Sequence, residues 1–293
     1  PLSSDAAAAA HRAAFGDERL PRPLLGKADL ILGLGAEFLD RPADGLERDF
    51  AMRRSPDAPG ARMSRFVQLE GRLSLTGASA DERVRVRDTQ LASVAAALAH
   101  ELVVTRNAGP LAGNAAVAAA LAPFAPEAVA KKAGLDPALL PRLAAELFAA
   151  RGKAIVLAGG AASGSASGEA LELAALLLNL TLDAYSAGLF DEAAAERPAT
   201  GGAGALAALA EEMRAGKVSL LLVAGANPVY DAPPALGIAE AIAKVPFVVS
   251  LNDRLDETSL LADLFAPASH PFECWGDAAL PKGLLAVQQP VIQ

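Results

Sequence analysis

Cysteine is almost missing from this chain, with Cys274 alone among 293 residues. One thiol excludes an internal disulfide, a zinc site built on cysteines and an iron–sulfur cluster held by this chain alone. Histidine is nearly as scarce. His11, His100 and His270 form no His-x-x-x-His or His-Glu-x-x-His spacing, so no metal site is expected. Aromatic residues make up only 4%, against 53% hydrophobic residues in all, so the cores should be aliphatic and helix-rich. There is no long Lys/Arg run, and the formal charge is −8. Nucleic acid and anionic membrane surfaces both demand clustered positive charge, so neither is an expected partner. The longest apolar stretch, Leu171 to Leu182, is broken by Glu172 and Asn179 and falls short of the roughly 20 residues that a bilayer span needs. No serine occupies a Gly-x-Ser-x-Gly elbow, so Ser163, Ser165 and Ser167 read as turn formers and helix caps. A lone Cys274 beside Trp275 reads as a packed residue rather than a nucleophile. No catalytic residue is assigned.

What is present is a repetition. Lys27-Ala-Asp-Leu-Ile-Leu-Gly-Leu-Gly-Ala-Glu-Phe and, 190 residues further on, Lys217-Val-Ser-Leu-Leu-Leu-Val-Ala-Gly-Ala-Asn-Pro each run from a lysine through an apolar block into Gly-Ala and a turn. A short continuous apolar run closed by glycine suits a parallel strand covered on both faces. Ligands of such sheets gather at the carboxyl ends of the strands, so two such ends predict two α/β lobes facing a shared cleft.

The length suffices for two domains, each with its own core. The pattern predicts a helix over 3–15, strands at 30–34 and 66–69 joined by a long Arg/Pro/Gly-bearing loop, and a helix carrying Leu91, Val94, Ala95, Leu98 and Leu102 on one face. Residues 107–126 read as irregular, and Leu139, Leu140, Leu143 and Leu147 place a helix ending at Ala150. Arg151-Gly152 is the expected boundary, giving lobes 1–150 and 151–293. Beyond it a strand at 154–158, a Gly/Ser loop at 159–168 and a helix at 169–180 form one unit. Helix 203–215, strand 220–224, helix 234–244 and strand 247–251 continue the alternation of a doubly wound sheet. The opening at Pro1 and the close at Gln293 read as those of a piece of a longer protein.

The loop from Gly159 to Gly168 lies where a phosphate could meet free N–H groups at a helix N-terminus. It is not a dinucleotide fingerprint, because Ala161 stands at the middle glycine position between Gly159 and Gly164, and no Gly-Lys-Ser/Thr follows. Gly33-x-Gly35 lacks its third glycine, which Phe38 replaces. Arg48, Arg53, Arg54, Arg62 and Arg65 bracket the long loop and suit either an anionic partner or plain solvation.

Four segments, in order, resemble the large subunit of the molybdopterin oxidoreductase family, the enzymes related to dimethyl sulfoxide reductase and formate dehydrogenase. Lys27 to Pro42 is similar to the family's first strand and Gly-x-Asn-Pro loop. Phe66 to Leu98, with Glu70-Gly-Arg72, Thr76, Ala80-Asp81 and Val84 to Arg87, is similar to its Asp-Pro-Arg…Thr…Ala-Asp…Ile-Arg block. Gly225-Ala-Asn-Pro228 with Pro233 resembles the second Gly-x-Asn-Pro loop. Asn252-Asp253, Glu257-Thr258, Ala262-Asp-Leu-Phe-Ala-Pro267, Glu273 and Gly276-Asp277 resemble the block that follows it.

The resemblance implies two Rossmann-like, doubly wound α/β lobes of the molybdopterin oxidoreductase type. In the family these loops hold molybdopterin guanine dinucleotide. The positions here that would do so are Gly35, Gly159, Gly160, Gly164, Gly225, Asn227 and Pro228. Two departures stand against that. Asp88-Thr-Gln-Leu91 follows Arg87 where the family has Pro-Gly-Thr-Asp, and Glu37-Phe38 replaces Asn-Pro, setting a carboxylate where a pyrophosphate would lie. The family's cluster cysteines and molybdenum ligand belong to a region N-terminal to this one. A family scaffold with altered nucleotide loops resembles the molybdopterin-type domain of the alternative complex III iron–sulfur subunit. That resemblance implies a domain without cofactor, a structural and docking part of a membrane-associated, quinol-oxidising complex on the periplasmic face. Its expected partners are the other subunits and an iron–sulfur region of the same protein. The alternatives are a genuine molybdopterin-dinucleotide-binding fragment of a molybdenum oxidoreductase and a stand-alone α/β binding module.

Overall fold

The computed structural model describes residues 5–40, 45–55, 63–196, 203–280 and 284–292. It divides into two compact units, 1–198 and 199–293.

The first unit opens with a helix, Asp5–Phe15. Ser3 and Ser4, the start of the helix expected over 3–15, lie outside the described residues. The strands are β1 Leu20–Pro23, β2 Leu30–Leu34, β3 Arg65–Glu70, β4 Glu82–Arg85, β5 Ala154–Ala158 and β6 Phe190–Glu196. Four of them form a parallel sheet in the order β4-β3-β2-β5. β2 lies at its centre, with Leu32 opposite Val67 on one side and Val156 on the other. All five β2 residues are buried, which is why the sequence runs apolar without alternation.

Successive residues still point to opposite faces. Leu30, Leu32, Leu34, Val67, Leu69 and Val156 join one cluster with the helices Asp88–Ala99, Leu139–Ala149 and Gly168–Thr181. Ile31, Phe66 and Ile155 join another with Phe38 and with Phe50 of the Leu46–Met52 helix. The three phenylalanines meet edge to face or tilted, with ring centroids 5.4–5.6 Å apart.

Several expectations change here. The boundary is not at Arg151-Gly152, because β5 pairs with β2 in register and its helix packs on the same core. The division falls between Pro198 and Ala199. Residues 107–126 are not irregular throughout, since Asn114 caps a helix, Ala115–Leu121, accepting from the N–H groups of Ala116 and Val117. The Leu91 helix continues as a π-helical segment, His100–Thr105. β1 and β6 form an antiparallel ribbon that the pattern did not announce.

In the second unit the helix Ala203–Arg214 precedes β7 Leu220–Val223 and β8 Phe247–Ser250, and β9 Leu264–Phe265 follows. These three strands make a parallel sheet in the order β7-β8-β9. The expected helix 234–244 is cut at Gly237, whose φ of +51° separates a 3-10 turn, Pro234–Leu236, from a short helix, Ile238–Ile242. Ala210, Met213, Ile238, Ala241, Ile242 and Val248 form the core. A hairpin of β10 Gly276–Leu280 and β11 Leu284–Gln288 follows. Cys274 and Trp275 are exposed rather than packed. No helix among the described residues is long and apolar enough to cross a membrane.

Candidate functional site

In the first unit the chain leaves the carboxyl ends of β2, β3 and β5 side by side. Gly35, at φ +72°, follows β2, donates its N–H to the Leu69 carbonyl at 2.8 Å and bridges to Ala158. Gly159 and Gly160 follow β5, and Gly160 also takes a positive φ, +60°. A Cβ on Gly160 would sit 2.4 Å from the Gly35 carbonyl oxygen and 3.1 Å from the Glu37 carboxyl carbon. On Gly35 it would lie 3.1 Å from the Gly159 carbonyl oxygen and 3.3 Å from Leu91. Gly35 and Gly160 therefore lie tightly against the facing loop, where a Cβ would crowd the backbone, whereas a Cβ on Gly159 would meet only ordinary contacts, 3.4 Å from Ala36 at the nearest. Gly164, the fourth glycine singled out, ends a single helical turn, Gly160–Ser163, with an ordinary φ of −80°.

The surrounding polar groups are committed to one another. Arg72 donates to Glu37 at 2.7 Å. Glu70 is buried and accepts from Arg83 at 2.5 Å, from the Ser74 hydroxyl at 2.6 Å and from the Gln68 amide at 3.3 Å. Burial pushes the Glu70 carboxyl up. The Arg83, Ser74 and Gln68 donors more than offset this, holding it below the ordinary glutamate range. Gln68 also donates to the Ala36 carbonyl at 2.8 Å, tying β3 to the first loop. Asp40 accepts from the N–H groups of Leu75 and Thr76 and from the Thr76 hydroxyl at 2.8–3.0 Å. Burial works against its ionised form, but these bonds outweigh it and its carboxyl lies low.

The arginines of the long loop are paired within the chain. Arg53 meets Asp29, Arg54 meets Asp81 at 2.7 Å, and Arg65 bridges Glu82 at 2.6 Å and Glu146 at 2.9 Å. Arg62 lies outside the described residues, and Arg48 is exposed.

In the second unit, Gly225-Ala-Asn-Pro228 follows β7. Gly225 is open to solvent at φ +62°, and Pro228 starts a single helical turn, Pro228–Asp231. The Asn227 side chain is spent inside the chain. Its amide donates to Glu257 at 2.6 Å, and its oxygen accepts from the Thr258 hydroxyl at 2.7 Å and the Thr258 N–H at 3.3 Å. Asn252, after β8, braces the same loop, donating to the Ala226 carbonyl at 2.8 Å and accepting from the Ala226 N–H at 3.2 Å. The structure thus groups Gly35, Gly159 and Gly160 in one unit and Gly225, Asn227 and Pro228 in the other.

Sequence reasoning missed a concavity of about 150 Å³ between the N-terminal helix, the β1–β6 ribbon and the helix Gly168–Thr181, lined by His11, Glu172, Tyr185 and Phe190 among apolar neighbours. Burial works against the charged forms of its titratable groups. It raises the Glu172 carboxyl against the opposing Ser163 hydroxyl, pushes Tyr185 up to about 12 with help from Glu192 and Glu172, and lowers His11 although Asp17 and Glu192 pull the other way. These residues come from segments far apart in sequence, and no local pattern links them.

Two parallel sheets flanked by helices, joined in this element order, are the α/β fold of the molybdopterin oxidoreductase type. The acetylene hydratase of Pelobacter acetylenicus has this fold, with a TM-score of 0.72 over 98% of this chain and 47% of that one, at 12% identity. By sequence, the chain is similar to the molybdopterin-binding-like subunit of menaquinone reductase from Nitratidesulfovibrio vulgaris (strain Hildenborough), 28% identical over 269 residues. That match takes in 88% of this chain and 39% of the relative, so the chain spans about two-fifths of the relative's length. No family model matches the sequence.

Proposed function

We propose that this chain is a molybdopterin-oxidoreductase-like domain that holds no pterin and serves as a structural and docking part of a membrane-associated, quinone-linked electron-transfer complex. One observation carries the cofactor-free half of this reading: the Gly35 and Gly160 backbones lie too close to the facing loop for even a Cβ where a pyrophosphate would need room. The residues at this strand end do not fit that group, because a phosphate there would also meet the Glu37 carboxylate. The spent side chain of Asn227 supports the same reading in the second unit.

The quinone-linked half rests on the relative's name, a subunit of menaquinone reductase. The family resemblance suggested quinol oxidation, whereas the relative is named for reduction, so the reading is pitched at quinone-linked electron transfer in either direction. The partners would be further subunits and an iron–sulfur region of the same protein, and the place the periplasmic face of the membrane.

The test is molybdenum and tungsten content together with released-pterin fluorescence, measured on the full-length protein in its native complex. Neither metal nor pterin in an active complex is the expected result. Stoichiometric metal and pterin would overturn the reading and establish the alternative, a molybdenum oxidoreductase fragment gripping its dinucleotide through the loops described above.

A further inference from the structure

The concavity beside β5 is walled by the N-terminal helix, the β1–β6 ribbon and the helix Gly168–Thr181. Its floor is the outer edge of β5, and a side chain closes that edge where another strand could have paired. Asn179 is buried, accepts from the Val156 N–H at 2.9 Å and donates to the Val156 carbonyl at 2.8 Å. Those are the backbone groups that an edge strand leaves unpaired, so the Asn179 amide is spent and the floor is finished. Rings stand above it. Tyr185 stacks on Phe190 with centroids 4.5 Å apart and planes 18° from parallel, and Phe15 meets Tyr185 edge to face at 5.8 Å.

The polar groups facing this space are acceptors without a cation. Glu172 accepts from the Ser163 hydroxyl through one oxygen, and its other oxygen has no hydrogen-bond partner among the described residues. The Tyr185 hydroxyl has none there either. Neither lysine nor arginine lines the concavity, and the Glu172 and Glu192 carboxyl groups both bear on Tyr185, so the surroundings favour positive charge. A carboxyl group in an apolar site is ordinarily matched by a cation that offsets its desolvation. Burial raises the Glu172 carboxyl here, and no cation opposes the shift. The space, about 150 Å³, is about what a benzene ring occupies in an apolar cavity.

We propose that this concavity binds a small primary alkylammonium ion of about four or five carbons, a size set by the space available. The ammonium group donates to the unpartnered Glu172 oxygen and to the Tyr185 hydroxyl, and its charge lies against the Tyr185 ring. The alkyl stem packs on Pro23, Leu157, Ala175 and Leu176. A neutral ligand of the same shape gains the apolar contact but not the charge-assisted hydrogen bond, and that difference makes the site selective for amines. The inference does not depend on the cofactor reading, so either can fail alone.

The test is calorimetric titration of the full-length protein in its native complex with n-butylammonium, using 1-butanol as the neutral probe, before and after Glu172→Gln. n-Butylammonium should bind about ten- to a hundredfold more tightly than 1-butanol, the worth of one charge-assisted hydrogen bond, and Glu172→Gln should abolish that preference. Equal binding of the two probes would overturn the inference by making the concavity a plain apolar crevice. Binding of neither would overturn it by leaving the space without a ligand, and an undiminished preference in Glu172→Gln would overturn it by placing the amine elsewhere. Hydrogen exchange of the unsubstituted protein answers the same question if the variant fails to fold. There n-butylammonium should slow the amides of Asp5–Phe15 and β6 and leave the β10–β11 hairpin unchanged, and protection confined to other segments would sink the proposal.

Discussion

Gly160→Ala tests whether the contact between the first and third strand-end loops holds the first unit together. Two costs add. A non-glycine residue at φ +60° carries about 1–2 kcal/mol of backbone strain. The new methyl, 2.4 Å from a backbone carbonyl oxygen that no rotamer change can move, forces the loops apart at about 1–3 kcal/mol. Gly188→Ala separates the two, because Gly188 lies in the same unit at φ +69° with nothing within 4 Å of its would-be Cβ, and so carries only the strain. Thermal unfolding of the first unit, followed by calorimetry, should show Gly160→Ala losing about 2 kcal/mol more than Gly188→Ala, a further drop of roughly 4–8 °C for a unit of this size. Equal losses would mean that the loops part without cost, and the packed-loop argument would be wrong.

Arg83→Ala strips the buried Glu70 of its charged partner and should cost about 2–3 kcal/mol, below the full cost of breaking a buried pair because Arg83 is itself partly exposed. Adding Glu70→Gln should recover part of that loss, as a double-mutant cycle by denaturant titration would show. Glu70 and Asp40 both have folded-state pKa values below their ordinary ones, so their stabilisation is complete above those ordinary values and fades as pH falls below about 4.5. An acid titration of stability would lose the Glu70 share of that step in Glu70→Gln and keep the Asp40 share. Glu172 runs the other way. Its raised pKa means that its favourable state is the protonated one, lost as pH rises, so Glu172→Gln should be neutral or stabilising at pH 7 and without effect in acid.

The strands at 30–34 and 154–158 could be read from the sequence residue for residue, because each is a short run without polar side chains between a charged residue, Asp29 or Lys153, and a glycine, Gly35 or Gly159. Their pairing could not. The loop glycines invite a boundary at residue 151, and nothing local in Ala154–Ala158 states that its partner is β2. The β1–β6 ribbon was hidden by Pro21 and Pro23, which sit acceptably on an edge strand but erase its signal. High alanine content flattened the periodicity over Ala115–Leu121, so the Asn114 cap was the better sign. At the candidate site, Gly35, Gly160 and Asn227 were legible as special positions. Their partners were not, since a glycine that admits a phosphate and a glycine that admits another backbone look alike in sequence.

That ambiguity has a thermodynamic side. A loop built to hold a ligand keeps its donors free or bonded to water, so binding replaces one set of hydrogen bonds by another. Here Asn227 would first have to give up two bonds to the fully buried Thr258, at about 1–3 kcal/mol together, a penalty of roughly five- to 150-fold in affinity before any new contact forms. Asn227→Ala therefore separates the readings. If the side chain only braces the loop, the variant loses about that much stability in the second unit while metal and pterin content stay at their original level. If it grips a dinucleotide, pterin is lost from the complex at a stability cost no larger than that of the neighbouring surface variant Asp253→Ala.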